Sequence, residues 1–452
     1  MSEITETLAQ FVLGASYNDM GPDVIQEAKW HVLDTIGVCL AGSAQEVGQI
    51  ILQWVEDEPS RGIGSVLGTK LRVAPGQAAL INGVFAHALD YDDSFYDLRR
   101  MRVHPSASQV AASLAIGEKV GASGKELLQA YTLGVEVIGK LANALGVSHF
   151  DRGWHATGTL GTMGATAVAG KLLGLSKQQL RRAFGMATSM ASGCRQNVGT
   201  MTKPLHQGMA ARNGVLAASL ANHGFTANEA IFDSPMGFGR IFVADACDWN
   251  PTRVITGLGS PWAIIDPGLR IKRYPSCGGT HKVLDGCFAL LRKAEIPPSL
   301  IEKVEIDVKV TVGGSTIYPR PKTGLEGKFS REYCVAAALL DQHIGISSFT
   351  DEMVLRQGAQ ELLRRVHVNE EIADGPEVAE IKIFCRDGSC HKTCIGEIYG
   401  TPGMPITWGD LENKFRDCGR MVISEEKLGE VVEAVKNLEQ ITNIREITQL
   451  LC

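Results

Sequence analysis

Strict alternation of apolar and polar residues in Val304-Glu-Ile-Asp-Val-Lys-Val-Thr-Val constrains this chain more than any other feature. A period of two puts one face of a strand in a core and the other in water. A second alternating pair, Val378 to Cys385 and Lys392 to Gly400, flanks an Asp387-Gly388 turn and reads as a hairpin. Most of the rest follows a helical period, apart from a short extended stretch at 61–73 and an irregular one from Pro235 to Asp266. Residues 4 to 56 read as two helices, the second opened by Pro22 and with Gly42 near its end. Helical patterning resumes from Pro75 to about 145, and Pro105 suits the first turn of a helix that follows His104. The run from Gly153 to Ala167 carries glycine at every third position. It fits neither the dinucleotide fingerprint nor the P-loop, so it reads as a helix whose small-residue face lets a neighbour approach closely. The pattern changes near Asp266 and returns to helix from Thr407. The chain is therefore a large helical part, an inserted α+β part and a final helical return.

Composition narrows the function classes. The chain has 452 residues, 21% of them charged, and a net charge of −6, which describes a globular protein rather than a disordered one. With no basic block and no basic–aromatic interleaving, neither nucleic acid nor an anionic membrane is expected as a partner. Eleven cysteines at irregular spacings, mostly in apolar segments, suggest free thiols in a reducing compartment. The N-terminal segment is acidic and amphipathic, unlike a targeting peptide, and no apolar run is long enough to span a bilayer. A cytoplasmic location is the expectation.

The residues that promise chemistry cluster. His87-Ala-Leu-Asp90-Tyr-Asp92-Asp93-Ser94 closes an apolar helix, with His104-Pro105-Ser106 ten residues on. Asp90 falls one turn from His87, on the same face if the helix continues. His104, His155, Lys203 and His281 each stand at a helix start, where unpaired N–H groups favour anions and disfavour an imidazolium. If these starts converge, they form a cationic pocket in an acidic protein. Metal binding is the rival reading, since His87, Asp90, Asp92, Asp93 and His104 offer hard or borderline ligands. No metal-ligand spacing motif is present, and Cys385 falls in the strand pattern as a core residue. Cys277 is the one thiol in a suggestive loop. His31 reads as a packed or half-exposed helix residue beside Trp30.

The sequence resembles the MmgE/PrpD family. The resemblance rests on the His87–Asp93 stretch, His104-Pro-Ser, Trp154-His-Ala-Thr-Gly-Thr-Leu-Gly, Gly199-Thr-Met-Thr-Lys-Pro-Leu-His-Gln-Gly, Tyr274-Pro-Ser-Cys-Gly-Gly-Thr-His and Gly327-Lys-Phe-Ser-Arg-Glu-Tyr. It implies a mainly α fold with an inserted α+β domain. A large all-helical domain would come from both chain ends (1–266 and 405–452), and a smaller antiparallel-sheet α+β domain from 267–404. It also implies a homodimer that works without metal or organic cofactor. The site residues it carries over are Asp90, Ser94, His104, His155, Lys203 and His281; Lys272 joins Ser94 and Lys203 as an expected substrate contact. Ser94 stands where Thr is commoner in the family. Asp92 stands where 2-methylcitrate dehydratases commonly have Asn. The segment from Phe95 to Val103, with Arg99, Arg100 and Arg102, is longer and more basic than in many relatives. The function expected is a lyase acting on a short di- or tricarboxylate, of cis-aconitate decarboxylase or 2-methylcitrate dehydratase type, by proton transfer next to a carboxylate. Lys203 would hold carboxylates, His104 or His281 would move the proton, Asp90 would orient an imidazole, and Ser94 would bond a substrate oxygen. An epimerase of an iminodisuccinate-type compound is the alternative. A metal-dependent hydrolase and a non-catalytic metabolite-binding dimer are the alternatives from other classes.

Overall fold

The computed structural model describes residues 3–95, 102–146, 148–311, 313–314 and 316–452. Arg99 and Arg100 lie outside the described residues. The chain is mainly helical with a small sheet, as the periodicity predicts. Residues 3–57 form three helices rather than two: Glu3–Gly14, Pro22–Ser43 and Glu46–Asp57. The last two are bent by 75°, with Gly48 pressed so near the Gly42 carbonyl that a Cβ there would lie 2.5 Å from its oxygen. Among the described residues no single helix is long and apolar enough to cross a membrane.

Two short antiparallel pairs, β1 (Gly64–Ser65) with β2 (Arg72–Val73) and β3 (Ser94–Phe95) with β4 (Leu269–Arg270), tie loops together. The main sheet has β5 (Ile301–Val310), β6 (Val366–Ile372), β7 (Val378–Cys385) and β8 (Cys390–Ile395), in the order β6-β5-β7-β8. The expected antiparallel sheet is mixed. β5 and β6 run parallel, with Val304 opposite Val366. The connection between them crosses over through several helices, among them Arg331–Asp341, and returns the chain to the end at which β5 began. The hairpin β7–β8 is antiparallel as expected, and Ala379, Ile381, Ile383 and Cys385 are buried on one face of β7.

Two cores result. One runs from Leu8 to Ile271 and takes in Ile406 to Leu451; the other runs from Tyr274 to Cys385. Small residues govern the first. Helix Pro75–His87 lies against helix Thr202–Asn222, where a Cβ on Gly208 would lie 2.4 Å from the Leu80 carbonyl oxygen and one on Gly83 would lie 2.8 Å from the Gly208 Cα. That approach delivers the C-terminal end of one helix to the N-terminal end of the other, so His87 meets Lys203. Helix Ala156–Leu172 uses its glycine face similarly: a Cβ on Gly161 would meet Ala210 at 3.2 Å. Gly208→Ala would gain about 1 kcal/mol of helix propensity. It would also drive a methyl group into backbone, where overpacking costs about 1–3 kcal/mol or more. A lower thermal midpoint and lower activity are expected; an unchanged midpoint would contradict the close-approach reading.

Candidate active site

The helix ends at His87, so Asp90 does not share its face. A turn carries Asp90 instead, with its N–H 3.2 Å from the His87 carbonyl and its backbone at φ = 51°. That left-handed conformation is uncommon outside glycine and is tolerated best by Asp and Asn. Three lysines hold the turn by consecutive carbonyls. Lys328 donates to Leu89 O at 3.1 Å, Lys272 to Asp90 O at 2.6 Å and Lys414 to Tyr91 O at 2.9 Å. The turn's conformation is therefore fixed from three separate segments.

Lys203 links the turn to the helix end. Its Nζ lies 2.6 Å from His87 Nε2 and 2.6 Å from Asp90 Oδ1, while Lys272 Nζ reaches Asp90 Oδ2 at 3.1 Å. An ammonium can donate only to an unprotonated nitrogen, so the His87 proton is on Nδ1, which faces Asp92 at 2.8–2.9 Å. Burial pushes His87 down to about 4; Asp92 opposes the shift and Lys203 adds to it. Burial alone would raise the Asp90 carboxyl, but Lys203 and Lys272 override it and hold it well below the usual carboxylate range. Burial is likewise outweighed at Asp92, by His87 and His104. His87 is thus neutral and both carboxylates are ionised at neutral pH.

His104 sits between the two carboxylates, 3.7 Å from Asp90 and 3.4 Å from Asp92, with its ring edge-on to His87 at 4.7 Å. Its carbonyl accepts from Gln207 at 2.7 Å. His155 caps helix Ala156–Leu172, and its Nδ1 is 2.9 Å from His206 Nδ1. Burial, then Lys203, pushes His155 well below its usual range. Asp90, Ser94, His104, His155, Lys203 and Lys272 all line one cavity of about 390 Å³, together with Arg270 and residues of the α+β part such as Thr311 and Glu377.

His281 departs from expectation. It begins helix His281–Lys293, but among the described residues it is not part of the cavity wall. It is 1% exposed, packs on Tyr274 at 5.2 Å and lies 3.4 Å from the Ser276 carbonyl. Burial, then Arg270 and Lys272, pushes it well below the usual imidazole range. Its surroundings suit a neutral imidazole behind the wall, whereas His104 has both carboxylate neighbours and access to the cavity.

Four donors, His87, Asp90, Asp92 and His104, lie within 4.8 Å of one another. A divalent ion there would have to displace ammonium groups from both oxygens of Asp90. Cys385 is buried in its strand, while Cys390 and Cys394 are exposed on β8.

Several residues escaped the sequence reading. Lys414 carries no signal that separates it from surface lysines, and Lys328, although it stands in the Gly327-Lys-Phe-Ser stretch, was given no role. Arg270 stands two residues before Lys272, a spacing that puts both on one side of an extended segment, and that signal was available. His31 is fully buried. Its Nδ1 makes an ion pair with Asp93 at 2.6 Å, and Asp93 also accepts from Ser106 Oγ at 2.5 Å. Ser106 begins the helix that follows His104, so this pair braces the site from behind.

Comparison with known proteins gives concordant similarities. The MmgE/PrpD N-terminal domain matches residues 6–249 and the MmgE/PrpD C-terminal domain matches residues 274–440. The chain is 30% identical to a cis-aconitate decarboxylase of Homo sapiens, over all of this chain and 95% of the relative. It is 28% identical to a cis-aconitate decarboxylase of Mus musculus, with 94% of that relative covered. It is 26% identical to a cis-aconitate decarboxylase of Aspergillus terreus, with 96% covered.

Proposed function

Because the chain belongs to the MmgE/PrpD family, both of whose domains match it, we propose that it is a lyase that decarboxylates a short unsaturated tricarboxylate of the cis-aconitate type. The observation that carries this reading is the Lys203 ammonium. It is held by His87 and Asp90 at 2.6 Å each, in a cavity that it shares with Lys272, Arg270 and His104. Full-length similarity to cis-aconitate decarboxylases favours loss of CO2 over loss of water.

The chemistry sets the requirements. In cis-aconitate the CH2–CO2⁻ bond adjoins the C=C bond. When it breaks, CO2 leaves, and the bonding pair moves through the C=C to the carbon bearing the far carboxylate. One proton added there completes the product, with a new terminal C=C. The barrier is the developing negative charge, which fixed positive groups stabilise in a site shielded from water. Lys203 supplies that charge next to a carboxylate–imidazole pair. His104 delivers the proton, since it lines the cavity and touches both Asp90 and Asp92. Lys272 binds substrate oxygen while it anchors Asp90, and Ser94 offers its hydroxyl. His155, neutral and stacked 6.1 Å from His87, shapes the wall without adding charge. In this reading His281 positions the Tyr274 segment rather than transferring the proton.

The test is proton and carbon NMR of chelator-treated protein with cis-aconitate in D2O. Release of CO2 and a product with one deuterium at the protonated carbon is the expected result. Activity lost on chelation and restored by a divalent ion would replace this reading with the metal-dependent one. Inertness toward cis-aconitate, with C–H exchange in an iminodisuccinate-type compound, would replace it with the epimerase.

A further inference from the structure

We propose that Arg270 is a second carboxylate clamp in this cavity, the side chain that gives a tricarboxylate its advantage over a dicarboxylate. Three observations converge on it. Arg270 lies in β4, opposite Ser94 of β3, and its Nη2 donates to Ser94 Oγ at 3.3 Å. Its Nε is buried and has no hydrogen-bond partner. Among the described residues its guanidinium forms no ion pair, although it lines the cavity.

The neighbouring acids are otherwise engaged. Both oxygens of Asp90 are taken by Lys203 and Lys272, and Oε1 of Glu377 pairs with Arg102 at 3.3 Å while accepting from Thr311. A buried charge without a counter-ion is costly. Burial already pushes this guanidinium down to about 10. The rigid fork of an arginine suits a carboxylate, which it meets with two parallel N–H bonds.

The surrounding backbone is shaped for the same group. Gly278 presses on the guanidinium so closely that a Cβ there would lie 2.1 Å from Nη2. A side chain at 278 would push the fork out of its place beside Ser94. Ser94, whose hydroxyl the guanidinium already contacts, becomes the neutral member of the same subsite. Lys203 and Arg270 then meet different carboxylates of one substrate.

The inference rests on the proposed decarboxylase reading only for the identity of that substrate. The experiment is therefore a binding measurement that needs no turnover. Calorimetric titrations of wild type and Arg270→Gln would use tricarballylate, succinate and glutarate, the first a saturated tricarboxylate. Wild type should bind tricarballylate more tightly than either dicarboxylate, by about 10- to 100-fold, the range of a charge-assisted hydrogen bond. Arg270→Gln should reduce that advantage to within about twofold. An advantage that survives in the variant, or that wild type lacks, overturns the proposal. If the glutamine variant does not fold, Arg270→Lys replaces it. It keeps the charge and loses the fork, and it should shrink the advantage severalfold; an unchanged advantage again overturns the proposal. Discrimination in binding without decarboxylation of cis-aconitate would remove the proposed reaction and leave the clamp standing.

Discussion

Lys203→Met should lower kcat on cis-aconitate by about 10³-fold, with the protein still folded. The loss combines fixed-charge stabilisation of the transition state with disruption of proton transfer, each typically worth 10²-fold or more. The substitution removes the only cation that touches both His87 Nε2 and Asp90 Oδ1 among the described residues. His87 loses the partner that fixes its tautomer, and Asp90 keeps only Lys272. Lys203→Arg should not rescue. A planar guanidinium is too broad for a position with two neighbours at 2.6 Å. Single-turnover measurement of CO2 release checks both variants, with circular dichroism to establish folding. A methionine variant within tenfold of wild type would remove Lys203 from the chemistry.

His31→Leu should cost about 3 kcal/mol of stability near pH 6, and the cost should shrink toward pH 9. Burial pushes the His31 imidazole down, but Asp93 overrides it and raises the group to about 9, against about 6.5 in an unfolded chain. A group raised on folding contributes stability that is complete below its unfolded value and is lost as pH climbs through its folded value. The contribution therefore disappears between about pH 6.5 and 9. Its size follows from a shift of roughly two to three pH units at about 1.4 kcal/mol each. The leucine variant leaves Asp93 buried with Ser106 and without its imidazole, the kind of loss that costs about 3–5 kcal/mol when the charge stays unpaired. Urea unfolding at pH 6, 7.5 and 9 checks it. A wild-type advantage that does not change across that window would contradict a charged His31.

The sequence revealed the parts whose physics is local. The alternation in β7 and the Asp387-Gly388 turn needed only neighbours in the chain to specify a hairpin. The glycine face of the helix that His155 caps announced a close neighbour without saying which. The parallel pairing of β5 with β6 was not legible, because it depends on where a crossover of several helices returns the chain. Asp90 was placed by a route that the structure corrects: the pattern extended the helix past His87, whereas the chain turns into a left-handed residue. At His281 the helix start was legible and the direction of the ring was not, since packing on Tyr274 decides that. His31 looked like packing because its partner, Asp93, is distant along the chain.

The carbonyls of Leu89, Asp90 and Tyr91 are gripped by lysines from far beyond the segments that carry His87 and His104. Lys328 follows the main-sheet strand β5 in the chain, and Lys414 lies in helix Trp408–Gly419. A fragment ending near residue 266 would thus carry His87, Asp90, His104, His155 and Lys203, and still lack all three lysines that grip the carbonyls of the Asp90 turn. The proposed reactive groups and the lysines that grip the turn beside them thus come from different stretches of the chain. During synthesis the ribosome makes the proposed reactive groups before Lys414, so the turn can take the shape described here only after that later segment has been made.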